Sequence, residues 1–469
     1  MTRNLQAALG MGICCLLLGL VYWFFGRSLS LEEGTFWRQV LFALFALSSV
    51  GWLAIWFPEA IVAAYVFAGR VHDKRLQFEE LPMSLNQLLL IVILYLLVVH
   101  RDRLVLSMRL WSTRGFILFV IWMSVSLLWT MGPEYGRYKV VSYTGVVLLA
   151  VTCQTVLVQW RGHVGYAVLS IWLIGLALTV LGLGGLVGGE VQRLSVLGGG
   201  PNIYSRMVGM VLIFSIGTAG YLWKQKRLVS GLRLSARRAL LVASIAISLA
   251  SAPAFIFAQS RGPTLALLVA ILFYLVVLLK ADFKRVLLVA TVFATVVWVA
   301  SASLGLSGGS GTAAGTRFDV ESDSNWNTVN SRVIYARKTL DIVVEHPQVG
   351  VGVGGWPVAM YGIDRRRYPH NLFLEMLAEL GLVVTLAVLL LFSTQVVLAL
   401  RTYLSGEPSI AHELLLLCAV TFVFFLGASQ ASGDIVHARS VWQFLVLMEL
   451  ARRSVEFGSS LGLPLESRW

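Results

Sequence analysis

The chain has 469 residues, of which 58% are hydrophobic and only 13% are charged, and its formal net charge is +13. Soluble domains carry about 25% charged residues, so this composition excludes a water-facing surface of such size and predicts a membrane protein with many spans. Lys and Arg accumulate in cytoplasmic loops of membrane proteins, which explains the net charge without a nucleic-acid partner.

A membrane-spanning helix needs about 20 mostly apolar residues, and the apolar stretches of this chain predict about 12–14 such helices. Residues 7–25 lack a small-residue cleavage site and predict a retained span rather than a signal peptide. Residues 58–69 form a shorter apolar stretch, either a further span or an interfacial helix. The other spans are predicted to begin near Phe36, Leu85, Gly115, Val140, Tyr166, Ser205, Ala239, Pro263, Val286, Leu372, Leu414 and Ile435.

One basic linker sets the predicted orientation. Residues 224–238 lie between two spans and contain six Lys or Arg residues, Lys224, Lys226, Arg227, Arg233, Arg237 and Arg238. A short linker of this charge is cytoplasmic. Alternation of the spans then places residues 188–204, the hairpin at Arg261 and residues 306–369 outside.

The sequence divides into three parts. Residues 1–305 contain spans with short loops, residues 306–371 form one large periplasmic loop, and residues 372–469 contain the C-terminal spans and a short tail. A loop of this length inside a compact protein usually has a function. Its residues 329–345 have the pattern of an amphipathic helix, and a glycine-rich turn follows at 350–355.

Arginines on the outer side oppose the usual charge bias and therefore require an explanation. Arg261 lies in a tight turn between two apolar helices, where a charge at membrane depth usually faces a cavity or a partner. Arg193 precedes three glycines and Pro201-Asn202, which let the backbone approach a ligand closely. Arg206 lies one helical turn further into the next span, and we expect it to face the same cavity.

His370-Asn371 stands where the large loop re-enters the membrane. Asn371 can cap the helix that begins there, and neutral histidine is suited to act as a general base near neutral pH. Glu375 and Glu379 follow at helical spacing on one face. A carboxylate inside a span needs a partner, and we expect an outer arginine to supply it.

Several arginines near one base predict a reaction on a phosphate-bearing substrate, because Arg binds phosphate oxygens through a bidentate fork. The sequence has no Walker loop, His/Cys metal set or nucleophile elbow. The four cysteines, Cys14, Cys15, Cys153 and Cys418, lie inside apolar stretches and predict neither a disulfide framework nor a metal site. Since no nucleotide pool exists outside the cell, an energy-rich donor there would be lipid-linked.

At these residues the sequence resembles the O-antigen ligase and O-antigen polymerase superfamily. The matching motifs are Arg193 with its glycines and Pro201-Asn202, the turn Gln259-Ser260-Arg261-Gly262, Arg332 with the turn that begins at His346-Pro347, and Pro369-His370-Asn371 followed by Glu379-Leu380-Gly381. They cover roughly residues 193–381 in the order found in that superfamily. Val384 stands where many ligases have a second glycine, which leaves the polymerases open.

The resemblance implies an all-α membrane glycosyltransferase of the GT-C type in the bacterial inner membrane, with its active site facing the periplasm. Such enzymes need no metal or other cofactor and transfer a glycan from undecaprenyl pyrophosphate to an acceptor hydroxyl with inversion. His370 would be the catalytic base, Arg193, Arg261, Arg332 and Arg206 would bind the donor pyrophosphate, and Asn202, Asn371, Glu375 and Glu379 would support the site.

Three functions remain open within this resemblance. A ligase, which we favour, transfers finished chains to lipid A–core, whereas a polymerase uses another lipid-linked repeat as the acceptor. A protein O-oligosaccharyltransferase is the third. Outside the resemblance, a transporter of an anionic lipid could use the same arginines without chemistry, although we find no paired, glycine-broken halves that would support it.

Overall fold

The computed structural model describes residues 97–98, 101–157, 171–172, 175–182, 200–224, 234–278, 323–406, 409–431 and 435–460. Within these ranges the regular structure is entirely helical, as predicted. Arg193 and the spans predicted before Leu85 and near Val286 lie outside the described residues. The predicted total number of spans and the three-part division of the chain therefore stay predictions.

Contacts between residues group the chain into two units. The first comprises Met1–Met108, Leu148–Ile171 and Leu197–Gly199. Its described part contains helix α1 (Arg101–Ser107) and the second half of helix α3 (Pro133–Leu157). The hydroxyl of Thr155 donates a hydrogen bond to that of Ser107 at 3.0 Å, which satisfies two polar groups buried within this unit.

The second unit comprises Arg109–Val147, Trp172–Val196 and Gly200–Trp469, and it holds the predicted site. Its described part includes the first half of α3 and the following further helices: α2 (Trp111–Ser126), α4 (Gly200–Lys224), α5 (Leu234–Phe257), α6 (Arg261–Leu278), α7 (Asp323–Glu345), α8 (Trp356–Tyr361), α9 (Leu372–Ser405), α10 (Ile410–Ala431), the 3₁₀ turn Ile435–Ala438 and α11 (Arg439–Ser460).

Five of the described helices, α4, α5, α6, α9 and α10, are long and apolar enough to cross a membrane. Their positions confirm the spans predicted to begin near Ser205, Ala239, Pro263, Leu372 and Leu414. The most apolar part of α4 is 78% buried and that of α10 is 67% buried, against 22–28% for α5, α6 and α9. The first two are therefore interior helices, and the last three leave apolar surface that lipid can cover.

Aromatic packing fills the interior between α2, α3, α9 and α11. Trp442 stacks on Phe116 with ring centroids 4.7 Å apart, and Phe392 meets Trp442 edge-on at 5.1 Å. Tyr143 packs edge-on against Phe116 at 5.9 Å. Its hydroxyl donates to the carbonyl of Ile435, which gives the buried polar end of the ring a partner.

Helix ends in this unit are satisfied by side chains from distant parts of the chain. The buried carboxylate of Glu449 in α11 accepts from the backbone nitrogens of Trp111 at 3.1 Å and Ser112 at 2.7 Å. These two nitrogens belong to the first turn of α2 and therefore have no partner within the helix. A negative charge at this position is also favoured by the helix dipole. Arg237 donates to the carbonyl of Leu222 near the end of α4 at 2.6 Å. A positive charge is favoured there, because the end of a helix is the negative pole of its dipole.

Candidate active site

The predicted site residues lie at helix ends: at the starts of α9, α4 and α6, and beside the end of α10. Asn371, at the start of α9, donates its amide to the carbonyl of Gln430 near the end of α10 at 3.3 Å. Ser260 donates to Oδ1 of Asn202, which joins the turn between α5 and α6 to the start of α4. Arg206 links the two contacts, because it lies on α4 one turn after Asn202 and donates to the carbonyl of Ala428, two residues before Gln430. These contacts define the candidate site.

The chain enters α9 through a constrained turn. Oδ1 of Asn371 accepts from the backbone nitrogen of Leu374 at 3.1 Å, so the predicted helix cap is confirmed. His370, immediately before it, has φ +63°. A left-handed backbone at a residue other than glycine is costly and is concentrated at functional sites.

Aromatic rings surround His370. The ring of Tyr368 lies 4.6 Å from the imidazole at an angle of 68°, and that of Tyr335, from α7, lies 6.3 Å away and nearly parallel. Tyr335 also meets Trp356 edge-on at 6.1 Å, and the indole nitrogen of Trp356 donates to Thr339 at 2.9 Å. The large loop thus folds its own aromatic residues against the half-buried histidine, and the α7 helix predicted there is confirmed.

The turn that carries Arg261 is as tight as predicted. Helix α5 ends at Phe257, and α6 begins at Arg261. Gln259 lies between them with φ +48°, a second left-handed residue that is not glycine, and both Gln259 and Ser260 are buried. Arg261 is half-buried. The bond from Ser260 to Asn202 therefore brings two of the four sequence motifs into contact.

Arg206 is 2% exposed and its described contacts are to backbone carbonyls. It donates to the carbonyl of Ala428 at 2.7 Å and to that of His437 at 3.5 Å. Ala428 is among the last four residues of α10, whose carbonyls have no partner within the helix and attract a cation. This explains why an arginine can be buried there. Its predicted role in binding the donor stays a prediction.

Glu375 and Glu379 have a different partner from the one we predicted. Both are fully buried, and the ammonium of Lys139 in α3 lies 2.6 Å from Glu375 and 2.7 Å from both oxygens of Glu379. The expectation of an outer arginine was therefore wrong. Lys139 immediately precedes the span predicted to begin near Val140, and nothing local in the sequence relates it to α9.

A glycine-rich loop, residues 350–355, packs against the Lys139 cluster. Gly350, Gly352 and Gly354 all have positive φ, so the predicted turn is confirmed. The backbone nitrogen of Gly354 donates to Glu379 at 2.9 Å, and that of Val353 donates to the hydroxyl of Ser126 at 3.1 Å.

A break in α9 receives the segment just before this loop. Gly381 has φ +83°, and a Cβ there would collide with the carbonyl oxygen of Gln348. The nitrogen of Leu382, freed by the break, donates to the carbonyl of Pro347 at 2.9 Å. The fit therefore depends on glycine at this position.

Three consecutive arginines, Arg365, Arg366 and Arg367, are exposed shortly before His370. Arg366 lies 3.0 and 3.2 Å from the two ring nitrogens of His437. Arg367 lies over the ring of Tyr361 at 5.0 Å. Burial and the hydrogen bond with Tyr335 raise the pKa of Tyr361 to about 12, although Arg367 acts in the opposite direction.

Asp364 and Arg332 are two further charged residues of the large loop. Asp364 accepts from the backbone nitrogens of Glu134 and Tyr135 at 2.8 and 3.1 Å and so caps α3. Arg332 is exposed on α7, one turn before Tyr335. Within the described ranges, no group of three His, Cys, Asp or Glu side chains is placed to hold a metal ion.

A comparison with known protein families matches the middle of the chain. Residues 246–389 match the family model described as O-antigen ligase, a range that runs from α5 into α9 and includes Arg261, Arg332 and His370. No curated protein matches the chain. The match confirms the resemblance to the O-antigen ligase and polymerase superfamily, and it supports an enzyme of this type in a multi-pass membrane protein.

Proposed function

We propose that the protein is an inverting glycosyltransferase that moves a glycan from undecaprenyl pyrophosphate to an acceptor hydroxyl at the periplasmic face of the bacterial inner membrane. The acceptor that we favour is lipid A–core, which makes the enzyme an O-antigen ligase. The observation that carries the proposal is His370. It lies within the matched range, in a strained backbone conformation, at the helix ends where Arg206 and the turn of Arg261 also lie.

In the proposed reaction, neutral His370 accepts the proton of the acceptor hydroxyl as its oxygen attacks the anomeric carbon. The bond between that carbon and the phosphate oxygen breaks, and undecaprenyl pyrophosphate leaves with the bonding electrons. A single displacement from the opposite face inverts the anomeric configuration. A histidine whose pKa lies near the operating pH is suited to this step.

Arginines are assigned to the leaving group. Negative charge develops on the pyrophosphate as the bond breaks, and fixed cations near it lower the barrier without a metal. Arg261 follows the strained Gln259 and the buried Ser260, so its backbone is held before substrate binds. We assign Arg193, Arg261, Arg332 and Arg206 to the donor, and Arg206 also donates to the carbonyl of Ala428 at the end of α10.

The acceptor is inferred from charge. Arg365, Arg366 and Arg367 are exposed close to His370 along the chain, and they form a basic surface at the entrance of α9. Lipid A–core carries phosphate groups, which arginine binds through paired hydrogen bonds. A polymerase acceptor with a neutral repeat would gain less from this surface, so a ligase is favoured over a polymerase.

The test is transfer by the purified protein, reconstituted with undecaprenyl-pyrophosphate glycan and one acceptor at a time. The three acceptors are lipid A–core, a second lipid-linked repeat and an acceptor protein. We expect a product with lipid A–core, and its loss in His370→Ala. His412→Ala, at the start of α10 and outside the matched motifs, is the matched control and should retain transfer. Transfer at the wild-type rate in His370→Ala would refute the assigned base, and lipid movement without any transfer would favour a transporter.

A further inference from the structure

Lys139, Glu375 and Glu379 form a buried ionic cluster, and the matched motifs assign no role to Lys139. All three side chains are fully buried. The ammonium of Lys139 contacts one oxygen of Glu375 and both oxygens of Glu379, at 2.6–2.7 Å. Its charge also lies 4.4 Å from the ring centroid of Tyr135. Two carboxylates and one ammonium leave one negative charge in excess, inside a protein.

The excess charge is balanced by backbone donors from two further elements. The second oxygen of Glu375 accepts from the nitrogen of Ile435, at the start of the 3₁₀ turn, at 2.9 Å. Glu379 accepts from the nitrogen of Gly354 in the glycine-rich loop at 2.9 Å. The cluster is thus fully hydrogen-bonded, which is the condition under which buried charge is tolerated.

Two of the elements held by the cluster, α9 and the 3₁₀ turn, lie next to His370 or contain His437. Helix α9 begins at Leu372, directly after His370 and the cap Asn371. The 3₁₀ turn contains His437, which contacts Arg366, and its carbonyl accepts from Arg206. Lys139 lies on a fourth element, α3, and contacts the same two carboxylates that bond the first turns of α9 to the glycine-rich loop and the 3₁₀ turn.

Stability alone does not require such a cluster. Replacement of buried ion pairs by apolar residues of similar volume is often neutral or stabilising, whereas removal of one partner is harmful. The best-supported use of buried ionic groups is to specify one arrangement of the elements that they join. Here the elements joined are α3, α9, the glycine-rich loop and the 3₁₀ turn.

We propose that Lys139 is a positioning residue, which holds the start of α9 and the 3₁₀ turn so that His370 and His437 keep their places in the site. The inference rests on the proposed function for its kinetic consequence and on the contacts above for its structural one. Lys139 does not touch substrate, so its removal should lower kcat and leave the KM for the donor unchanged.

The test compares a double variant at Lys139 with a single variant at another lysine. The double variant Lys139→Met/Glu379→Gln removes one charge of each sign and leaves the net charge of the cluster unchanged, so it should fold. Lys338→Met, at an exposed position on α7, is the matched control. We expect kcat to fall on the order of tenfold or more in the double variant, with the donor KM unchanged, and wild-type kinetics in the control.

A second measurement needs no substrate. Diethyl pyrocarbonate modifies accessible histidines, and mass spectrometry gives the rate at each site. We expect modification of His370 to become about threefold faster or more in the double variant, because the start of α9 opens locally. His346 should be unchanged and serves as the internal reference. If wild-type protein transfers no glycan, the proposed function fails, while the modification rate at His370 still decides whether Lys139 positions it.

Two results would overturn the inference. One is a folded double variant with wild-type kcat, and the other is a folded double variant with unchanged modification of His370. If the double variant does not fold, Glu379→Gln alone decides the question. It removes one anchor of α9 and keeps Lys139 paired with Glu375, so kcat and the His370 modification rate should change in the same directions by a smaller factor. Wild-type values in that variant would contradict the proposal.

Discussion

The hydroxyl of Ser260 donates a hydrogen bond to Oδ1 of Asn202, although the two residues are 58 positions apart. Ser260 lies in the turn before Arg261, and Asn202 lies in the first turn of α4, after the glycines that follow Arg193. Two residues that belong to separate sequence motifs, Asn202 and Ser260, are therefore in direct contact. The bond also holds the turn before Arg261 against the first turn of α4.

This bond should couple the two residues energetically. Ser260→Ala and Asn202→Ala should each destabilise the protein by about 1 kcal/mol, and the double variant should cost less than the sum, because one hydrogen bond is shared. Thermal unfolding in detergent measures the cycle. Thr144→Ala, which removes a hydroxyl bonded only within its own helix, is the control. Strict additivity would show that the bond does not form in solution.

Arg261→Lys should impair transfer although the charge is kept. A lysine is a compact charge and cannot reproduce the planar fork that binds two phosphate oxygens. We expect kcat/KM for the donor to fall on the order of tenfold, which corresponds to about 1.4 kcal/mol of transition-state stabilisation. Arg238→Lys, at an exposed position near the start of α5, should be neutral. Full activity in Arg261→Lys would leave Arg261 with a purely topological role.

Gly381→Ala should destabilise the protein strongly. The residue has φ +83°, and a Cβ would meet the backbone of Gln348 and Val349. A strained left-handed residue costs about 1–3 kcal/mol before any collision is counted. Gly145→Ala is the matched control, since no atom lies within 4 Å of a Cβ there and its φ is helical. A thermal midpoint equal to that of Gly145→Ala would mean that α9 does not break at Gly381.

The three arginines before His370 should select an anionic acceptor. Changing Arg365, Arg366 and Arg367 to Gln together should raise the KM for phosphorylated lipid A–core about tenfold, because each bound phosphate loses charge-assisted hydrogen bonds. With dephosphorylated lipid A–core, wild type and variant should have the same KM. Arg337→Gln, also exposed on the large loop, controls for the loss of a single positive charge elsewhere on that loop. An equal effect on both acceptors would argue against phosphate recognition.

Local features of the sequence were sufficient for much of the fold. The starts of α4, α5, α6, α9 and α10 follow from hydropathy, because a span must satisfy its backbone internally and face lipid with apolar side chains. The cap by Asn371 and the turn at Arg261 also follow from a few adjacent residues. So does the glycine-rich turn at 350–355, whose positive φ values only glycine adopts readily.

What each polar side chain contacts was decided by the tertiary structure. Glu375 and Glu379 were predicted to pair with an arginine, but their partner is Lys139, which is more than 200 positions away along the chain. Arg206 binds the carbonyl of Ala428 at the end of α10, which no local pattern indicates. The physical reason is that helix packing determines which buried charges meet, whereas hydropathy determines only that a helix is buried. The sequence alone thus determined where the site residues lie along the chain, and packing decided their partners.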